Sequence, residues 1–475
     1  MDSDRIAREH DGRRVAEAAL DGLYPGPAHF VGIGGIGMSG LARLLLDRGW
    51  RVTGCDAAEN RQTAWLRARG VRVEIGHDPV HLAAPPAPRW LIYSPAVPAD
   101  HPELRRAREL SLVISRRGHV LPALVNRYPR SMAVAGAHGK TTTATMLAQI
   151  LVAAGCAPSF CIGGESDALG GPADGAGREW MVVEADESDG TLAAYAPTIA
   201  IVHNIDHDHL EHFATFDELR DVFRAFVAQT RGHVLYHADD PAAAEVAAAR
   251  PNACAYGFGP DARFRARRRS DGDGHRLEIA LDGRPLLAAR LPVPGRHNAA
   301  NALAAAAAAH LAGVAPETTA AALEKFQPAR RRLEPVRRGA IRIWSDYAHH
   351  PAEIRALVST LREAEPGRLF AVFQPHRYSR TRALADRFPA AFAGLDHLWL
   401  TPVYAASETP LPGGDSAALY DRIRRAGAPP VTLCDSLIQA WEEIRGILRP
   451  GDRLLIIGAG DIEKMAAWAA AGDHP

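Results

Sequence analysis

The segment from residue 132 to residue 143 constrains the fold of this chain more than any other. Residues 132–135 are apolar and predict a buried strand, and residues 141–154 have the pattern of a helix. Between them lies a turn with Gly136 and Gly139, followed by Lys140 and Thr141. Such a turn presents backbone N–H groups to phosphate at a helix N-terminus, where a lysine reaches the outer phosphates and a hydroxyl binds Mg²⁺. The segment predicts a nucleotide site in an α/β sheet without indicating the reaction.

A second glycine-rich turn occupies residues 32–40, between a short apolar strand and an amphipathic helix. Gly32, Gly34 and Gly37 form the pattern Gly-x-Gly-x-x-Gly, and the next predicted strand ends at Asp56. This is the arrangement of a Rossmann-type dinucleotide site. Nicotinamide cofactors are the usual occupants, but any diphosphate-linked nucleoside satisfies the same physics. The turn therefore predicts a diphosphate site and leaves its ligand open.

The length of 475 residues predicts about three domains of ~150 residues each. We place them at residues 1–122, 123–327 and 328–475. The predicted fold class is α/β, with a Rossmann-like N-terminal domain, a central P-loop ATPase-type domain and a Rossmann-like C-terminal domain. Within the central domain, residues 163–177 are predicted to form an exposed loop, and residues 256–291 a small antiparallel insertion.

Charge and cysteine content exclude several classes of function. The 55 basic and 55 acidic residues balance, which gives no electrostatic basis for binding nucleic acid or an anionic membrane. No apolar stretch approaches the ~20 residues of a membrane span, and residues 1–14 lack the apolar core of a signal peptide. The five cysteines are scattered without CxxC spacing, which predicts reduced thiols in a cytoplasmic protein rather than disulfides or a zinc framework.

Acidic side chains follow two predicted strands of the central domain. The strand at residues 180–183 is followed by four carboxylates, of which Glu184 is the first. The strand at residues 199–202 is followed by a run of acids and histidines that includes His209. Ligand sites in such sheets lie at the carboxyl ends of the strands, so we expect these groups beside the phosphate turn. Oxygen ligands favour Mg²⁺ there, with Zn²⁺ as the alternative.

Polar residues also follow two predicted strands of the C-terminal domain. The strand at residues 341–344 leads into Asp346, Tyr347 and two histidines, and the strand at 369–373 leads into a cluster of cations. The cations are His376, Arg377 and Arg380. The forked donors of arginine bind a carboxylate bidentately, so this cluster predicts a carboxylate site.

An alanine-rich helix is predicted to begin near His297. Asn298 and Asn301 are three residues apart and share one face of this helix. They are suited to face an adenine base, and Asn298 is equally suited to cap the helix. Both interpretations stay open at this point.

Together, the three units suit an enzyme that uses ATP to activate an acid and joins the acid to an amine. A dehydrogenase would leave the Lys-Thr turn unexplained, and a simple ATPase would leave both outer domains unexplained. Seven motifs, in order along residues 30–460, resemble those of the Mur ligase family. They lie at residues 32–40, 136–142, 184–189, 204–209, 297–301, 346–351 and 373–381.

The resemblance implies a ligase that uses ATP and Mg²⁺ to phosphorylate the carboxylate of UDP-N-acetylmuramate and then joins it to L-alanine, in peptidoglycan synthesis. The catalytic residues it implies are Lys140, His138, Glu184 and His209, and the metal ligands are Thr141, Glu184 and His209. The implied ATP-binding residues are Gly136, Ala137, His138, Gly139, Lys140, Thr141, Thr142, His297, Asn298, Asn301, Arg331 and Asp346. The implied UDP-substrate residues are Gly32, Gly34, Gly35, Gly37, Met38, Ser39 and Asp56. The implied L-alanine residues are Tyr347, His349, His376, Arg377 and Arg380.

Two departures from the family pattern concern the site itself. Ala137 stands where the family usually has threonine, and Ala348 where it usually has glycine. The alternatives are the same chemistry on a different amine or a recycled muropeptide, and a non-catalytic nucleotide-sugar binder. The presence of Lys140, Glu184 and His209 argues against the binder. The choice among L-alanine, glycine and L-serine stays open, and we expect a monomer or weak homodimer.

Overall fold

The computed structural model describes residues 3–471, except 189, 207–212, 214, 272–273, 365 and 428, and without the side chains of residues 3–10 and 270–271. Three sheets of five, ten and six strands follow one another along the chain. Within the described part, no helix has the length and apolar character needed to cross a membrane.

The N-terminal unit is a five-stranded parallel sheet in the order β3-β2-β1-β4-β5. The first strand lies in the middle, so the glycine turn after it emerges at the centre of the carboxyl edge. Its elements are α1 (Ser3–Gly22), β1 (Pro27–Val31), α2 (Ile36–Asp47), β2 (Arg51–Asp56), α3 (Arg61–Arg67), β3 (Arg72–Ile75), β4 (Trp90–Tyr93), α4 (Pro102–Glu109), β5 (Val113–Arg116) and α5 (Arg117–Val125).

The central unit is a mixed ten-stranded sheet in the order β15-β14-β13-β12-β11-β10-β6-β9-β7-β8. Its strands are β6 (Arg130–Ala135), β7 (Ser159–Ser166), β8 (Gly171–Asp174), β9 (Trp180–Glu184), β10 (Ile199–Val202), β11 (His233–His237), β12 (Ala253–Gly257), β13 (Phe264–Asp271), β14 (Gly274–Leu281) and β15 (Arg284–Leu291). Its helices are α6 (Lys140–Ala153), α7 (Phe216–Gln229), α8 (Pro241–Ala247), α9 (Arg296–Leu311) and α10 (Pro316–Glu324). Because β6 lies between β9 and β10, the phosphate turn emerges between the two acidic strand ends.

One sequence prediction about this unit needs correction. The sequence predicts an exposed loop at residues 163–177, but β7 and β8 form a hairpin that packs against α2 of the N-terminal unit. Ser166, in this hairpin, is buried. The predicted antiparallel strands are present as β13 to β15, and β13 also pairs in parallel with β12, so the insertion continues the central sheet. Polar and glycine-rich composition concealed the hairpin, because its buried face belongs to a neighbouring unit.

The C-terminal unit has the strand order β16-β17-β21-β18-β19-β20, parallel except for the antiparallel edge strand β16. The last strand of the chain, β21, lies between β17 and β18, so three strand ends meet in the middle of the sheet. Its strands are β16 (Glu334–Arg337), β17 (Arg342–Asp346), β18 (Leu369–Phe373), β19 (His397–Leu400), β20 (Val431–Leu433) and β21 (Arg453–Ile457). Its helices are α11 (Pro351–Ala364), α12 (Tyr378–Ala383), α13 (Phe388–Ala391), α14 (Ser416–Ala426), α15 (Leu437–Ile447) and α16 (Glu463–Ala471).

Polar contacts join the three units around the centre of the molecule. The Gln62 amide donates to the Glu165 carboxylate at 2.6 Å, linking the N-terminal and central units. Arg387 of the C-terminal unit donates to both oxygens of Asp206 in the central unit, at 3.1 and 3.2 Å. These contacts hold the carboxyl edges of the three sheets toward one another. The domain boundaries themselves stay a prediction.

Candidate active site

A single cleft, which we call the central cleft, is lined by residues from all three units and encloses an open volume of about 1360 Å³. The N-terminal unit contributes the first glycine turn, the central unit the phosphate turn and Glu184, and the C-terminal unit Tyr347 and His349. Its lining residues are Gly35, Ile36, Gly37, Met38, Ser94, Pro95, Arg117, Leu121, residues 137–142, Cys161, Ile162, Gly163, Glu184, Asp186, Ser188, Arg332, Tyr347, His349 and Glu353. The cleft therefore gathers groups that the sequence predicted for three different ligands.

The phosphate turn is held open by glycine conformations and by one asparagine. Gly136 and Gly139 have φ values of 136° and 88°, in the region that favours glycine. A Cβ at Gly139 would lie 2.5 Å from Oδ1 of Asn301, so only glycine fits there. The His138 N–H donates to Oδ1 of Asn204 at 2.8 Å, and the Asn204 amide donates back to the His138 carbonyl at 3.1 Å. The turn is thus shaped before any phosphate binds.

Lys140 lies at the start of α6, with its ammonium group buried inside the turn. Its Nζ donates to the Gly136 carbonyl at 2.7 Å and to both oxygens of Glu187, at 2.9 and 3.0 Å. Burial alone would lower the pKa of Lys140, but the carboxylates of Glu187, Asp186 and Glu184 raise it. The lysine is therefore held as a cation at the position where a polyphosphate would place its negative charge.

Glu184 and Thr141 form an oxygen pair at the neighbouring strand end. The Thr141 hydroxyl donates to Oε2 of Glu184 at 2.8 Å, and the Gly163 N–H donates to the same oxygen at 2.8 Å. A hydroxyl and a carboxylate are the donor types that Mg²⁺ takes beside a phosphate loop. The third predicted ligand, His209, lies outside the described residues.

The hinge arginine that reaches this pair is Arg332 rather than the predicted Arg331. Arg332 Nη2 donates to the Thr141 hydroxyl at 3.1 Å. Arg331 turns back into its own unit, where it pairs with Glu463 at 2.9 Å and donates to the Gly458 carbonyl. Both Arg331 and Leu333 have positive φ, 57° and 49°, so the backbone reverses around Arg332 and aims its side chain at the phosphate turn.

A second opening, which we call the inner cavity, lies behind the phosphate turn and has an open volume of about 1000 Å³. His297, Asn298 and Asn301 of α9 line it on one side, and Asp346 and Leu357 on the other. Apolar residues such as Phe326 and Leu357 alternate in its walls with polar ones such as Asn301, a lining that suits a flat base with polar edges. The cap of α9 is Gly295 rather than Asn298, which instead donates through its amide to the Pro294 carbonyl at 2.7 Å.

Asp346, at the end of β17, faces the inner cavity with a buried carboxylate. It accepts the backbone N–H groups of Leu333 at 2.6 Å and Ala348 at 2.8 Å. Burial raises its pKa to about 6, against the opposing effect of Arg332 and these N–H donors. The predicted residue is thus in the cavity wall and also fixes the hinge beside Arg332.

His138 lies between two carboxylates from different units. Its Nε2 is 3.8 Å from Oδ2 of Asp206, and its Nδ1 is 3.4 Å from Oε1 of Glu353. Burial alone would lower the pKa of His138, but the two carboxylates outweigh it and raise the pKa to about 9. The ring of His350 lies 4.8 Å from the His138 ring and faces the same Asp206 carboxylate. His138 is therefore an imidazolium at neutral pH.

We expect the His138 ring to titrate near pH 9, as a nuclear magnetic resonance titration of the ring nitrogens would show. Because this pKa lies above the ordinary value of 6.5, the charged ring contributes stability that is fully present below pH 6.5 and is lost as the pH rises through about 9. Glu353→Gln removes one carboxylate and is expected to lower the midpoint. Glu363→Gln, an exposed acid on the same helix, is the control expected to leave it unchanged. A midpoint near 6.5 in the unmodified protein would contradict this description.

The first glycine turn is shaped by Asp56, which the family resemblance implies as a residue of the UDP-substrate site. Oδ2 of Asp56 accepts the Gly34 N–H at 2.7 Å, and a Cβ at Gly34 would lie 2.6 Å from the Asn60 amide. Gly35, Gly37 and Met38 face the central cleft. Ser39 is buried and donates to the Ile36 carbonyl at 3.0 Å, and Gly32 has a φ of 78°. Asp56, Ser39 and Gly32 thus fix the conformation of the turn.

The predicted carboxylate site contains two cations rather than three. His376 stacks on Tyr404 at 5.7 Å and lies 5.8 Å from the His349 ring. Burial, reinforced by the charges of His349, Arg380 and Arg377, lowers the pKa of His376 to about 3, so its ring is neutral. Arg380 Nη1 lies 3.3 Å from Nδ1 of this ring. Tyr347 and His349 line the cleft, and His376 lies between the His349 ring and the Arg380 guanidinium.

Several residues of the site were missed by sequence reasoning. Glu187, Asp206 and His350 lie in motifs that the sequence singled out, but nothing in the spacing distinguished them from their neighbours. Glu353 opens α11 just after those histidines, where it accepts the N–H groups of His349 and His350 at 3.1 and 3.2 Å. Proline at the first position of a helix and glutamate at the third, which reaches back to the N–H groups before the helix, are the signals for such a cap. Because Arg331 and Arg332 are both arginines, residue type could not show which of them reaches the phosphate turn.

Comparison with known families gives three successive matches along the chain. The family description "Mur ligase family, catalytic domain" matches residues 27–129. The description "Mur ligase middle domain" matches residues 134–309, and "Mur ligase, glutamate ligase domain" matches residues 331–460. The matches follow the order of the three sheets.

Individual relatives agree with these matches over nearly the whole chain. The UDP-N-acetylmuramate–L-alanine ligase of Sinorhizobium medicae is 40% identical, with 94% of this chain and 96% of the relative covered. That of Symbiobacterium thermophilum is 40% identical, with 92% of each chain covered. The solved UDP-N-acetylmuramate–alanine ligase of Thermotoga maritima has 28% identity and a TM-score of 0.81, with 94% of this chain and 99% of that chain covered. The resemblance and the fold class predicted from the sequence are thereby confirmed.

Proposed function

The chain belongs to the Mur ligase family, and on that premise we propose that it joins L-alanine to the carboxylate of UDP-N-acetylmuramate with hydrolysis of ATP to ADP and phosphate. The observation that carries the proposal is the central cleft, which is lined by the first glycine turn, the phosphate turn and the Tyr347–His349 segment together. The relatives that cover most of this chain have this activity in their names. A hydride-transfer enzyme or a simple ATPase would have no use for all three parts.

Activation of the muramate carboxylate takes place at the phosphate turn, with ATP also bound in the inner cavity. We place the adenine base in the inner cavity between Asn301 and Leu357, and the triphosphate across residues 136–142. The γ-phosphoryl group is transferred to an oxygen of the muramate carboxylate, and ADP leaves. Lys140 and Arg332 stabilise the charge on the transferring group, and the His138 imidazolium stands beside the resulting acyl phosphate. Preorganised cations of this kind usually give the largest single contribution to phosphoryl transfer.

The oxygen pair of Thr141 and Glu184 fits the Mg²⁺ that this family uses with ATP. Its two oxygens lie 2.8 Å apart next to the phosphate turn, and the donors are a hydroxyl and a carboxylate, which suit this hard cation. Mg²⁺ bound there supplies neutralisation of phosphate charge. We keep His209 as a proposed third ligand on the strength of the family resemblance.

The joining half of the reaction belongs to the N- and C-terminal units. Gly35, Gly37 and Met38 face the cleft where we place the diphosphate of the sugar nucleotide. We place L-alanine near His349, with its carboxylate toward Arg377 and Arg380. Its amino nitrogen attacks the acyl carbon and loses a proton. Phosphate then leaves from the tetrahedral intermediate, and an amide bond remains.

The test of the proposal is phosphate release from ATP with UDP-N-acetylmuramate and one amino acid at a time. We expect release to depend on L-alanine, with glycine and L-serine as weaker substrates, and to be accompanied by a product heavier by one alanine residue. Release that is independent of every amino acid, or that requires only ATP, would contradict the proposal. The cytoplasmic location and the monomer or weak homodimer stay predictions.

Arg380→Ala is expected to raise the KM for L-alanine about 10- to 100-fold and to leave the KM for ATP nearly unchanged, since a hydrogen bond to a charged group contributes about 1.5–3 kcal/mol. The physical reason is that Arg380 contacts His376, which lies beside His349 at the proposed L-alanine position, and that Arg380 does not line the inner cavity proposed for adenine. Arg382→Ala is the matched control, because Arg382 is an exposed arginine on the same helix. A larger effect on ATP than on L-alanine would show that the C-terminal unit is wrongly assigned.

A further inference from the structure

The N-terminal unit contains a second group of metal-ligating side chains, separate from the cleft. His29, Cys55, His81 and Glu103 each offer one ligand atom, and the four atoms lie within 4.8 Å of one another. We infer that these four side chains bind a structural Zn²⁺ ion beneath the first glycine turn. Cysteine spacing in the sequence predicted no zinc framework, because the four ligands come from four separate elements.

Local structure brings the four residues to one face of the sheet. His29 of β1 is paired with Thr53 of β2, and Cys55 is two residues further along β2, so His29 and Cys55 share a face. His81 comes from the short helical turn at residues 79–82, and Glu103 from the first turn of α4. The site thus ties two strands, a turn and a helix together.

Ligand separations within the group suit a tetrahedral metal centre. Oε2 of Glu103 lies 3.0 Å from Nε2 of His29, and Oε1 lies 3.1 Å from the Cys55 sulfur and 3.2 Å from Nδ1 of His81. Zinc binds nitrogen and oxygen at about 2.0–2.2 Å and sulfur at about 2.3 Å, which places tetrahedral ligands about 3.3–3.8 Å apart. The separations from Glu103 are hydrogen-bond distances, a few tenths of an ångström shorter, so these ligands would move slightly apart to hold the ion.

Charge balance is the strongest argument for a divalent ion. Glu103 and Cys55 are fully buried and His29 nearly so, and a carboxylate buried in this way is costly unless it is compensated. Its described partners are two imidazoles, a thiol and the Asp78 N–H. One carboxylate, one thiolate and two neutral imidazoles around Zn²⁺ sum to zero charge. Two nitrogen donors with one sulfur also favour zinc over Mg²⁺ or Ca²⁺.

Surrounding groups orient the ligands as supporting residues do at metal sites. The Thr53 hydroxyl lies 2.9 Å from Nδ1 of His29, which leaves Nε2 for the metal, and Nδ1 of His77 lies 3.3 Å from the Cys55 sulfur. An apolar layer that includes Leu82 and Leu104 closes the site. His81 keeps 15% of its side chain exposed and provides the access route.

Metal binding at this site is coupled to loss of a proton. The Cys55 thiol donates to Oε1 of Glu103 at 3.1 Å, so it carries the proton that a metal would replace. On binding, a Zn–S bond replaces the S–H bond, and the proton passes to solvent.

The consequence concerns the sugar-nucleotide turn directly above. The Cys55 carbonyl accepts the N–H groups of Gly32 and Ile33 at 2.9 and 3.0 Å, and Asp56, the next residue, holds Gly34. Four protein ligands leave no open position for substrate, which is the pattern of structural zinc. The ion therefore fixes the base of the turn and takes no part in the reaction, an inference that does not depend on which amino acid the enzyme uses.

The experiment measures metal in full-length protein freed of any affinity tag and dialysed with excess Mg²⁺. Mass spectrometry of metals is expected to find about one Zn²⁺ per chain. Cys55→Ser and His81→Ala are expected to lose it, whereas Cys156→Ser, which removes a half-buried thiol elsewhere, is expected to keep it. Co²⁺ in place of Zn²⁺ should show a thiolate-to-cobalt absorption that Cys55→Ser and His81→Ala lack and Cys156→Ser keeps. A chelator should lower the Tm of the unmodified protein but not that of His81→Ala.

Three results would overturn the inference. The first is unmodified protein that retains no zinc and gains no thiolate-to-cobalt absorption on titration with Co²⁺. The second is zinc that stays in Cys55→Ser and His81→Ala but is lost in His350→Ala, which would place the metal at His138, Asp206 and His350 in the cleft. The third is retention of iron or copper in place of zinc. None of these would alter amino-acid-dependent phosphate release, so the two proposals fail separately.

Discussion

Lys140→Met is expected to lower kcat about 10²- to 10³-fold, because a preorganised cation would be removed from the transferring phosphoryl group. The same substitution is expected to destabilise the fold, since Glu187 is 2% exposed and would lose its ion pair with Lys140. Removing one partner of a buried ion pair typically costs about 3–5 kcal/mol. Steady-state kinetics and thermal unfolding of the same preparation measure the two effects separately.

The double variant Lys140→Met/Glu187→Gln distinguishes the effect of losing the Lys140 cation on kcat from its effect on the stability of the fold. Neutralising Glu187 removes the buried negative charge that the Lys140 ammonium had balanced, so the double variant is expected to regain much of the lost Tm. Its kcat is expected to stay low, because no cation has been restored to the turn. Recovery of kcat together with Tm would show that Lys140 acts only by holding the turn through Gly136 and Glu187.

Arg332→Ala is expected to lower kcat about 10²-fold, in the range found when one donor to a developing charge is removed. Arg332 donates to the Thr141 hydroxyl and faces both the central cleft and the inner cavity. It comes from the hinge before the C-terminal unit, so its contribution depends on that unit lying against the phosphate turn. Single-turnover measurement of ADP formation checks the effect on the activating step.

Arg330→Ala is the matched control for this prediction. Arg330 lies two residues earlier on the same hinge, and its guanidinium pairs with the exposed Asp167 at 3.2 Å. An exposed pair of this kind contributes about 0–1 kcal/mol, so little change in kcat or Tm is expected. Equal losses in the two variants would mean that the hinge backbone, and not the Arg332 guanidinium, carries the effect.

Local sequence patterns were sufficient to predict those parts of the site that consist of a single turn or a single strand end. The glycines at 136 and 139 and the pattern at 32–37 require backbone conformations and close approaches that few other sequences satisfy. Glu184 follows its strand directly, and so its place beside the turn follows from parallel topology. Such features depend on neighbours within a few residues, which is why the sequence predicted them.

Features that depend on contacts between units were not predictable in the same way. Arg331 and Arg332 are adjacent and identical in type, and the choice between them depends on two residues with positive φ that are not glycines. The neutral state of His376 results from burial beside other cations, where the sequence showed only a basic cluster. The hairpin of β7 and β8 is polar in composition because part of its buried surface meets α2 of another unit.

The most direct test of the account follows oxygen from the muramate carboxylate. UDP-N-acetylmuramate with both carboxylate oxygens labelled with ¹⁸O is incubated with ATP, Mg²⁺ and L-alanine, and the phosphate and product are analysed by mass spectrometry. Activation through an acyl phosphate predicts one ¹⁸O atom in the released phosphate and one in the new amide. Unlabelled phosphate released at the rate of ADP formation would contradict the account, because the cleft would then hydrolyse ATP without activating the carboxylate.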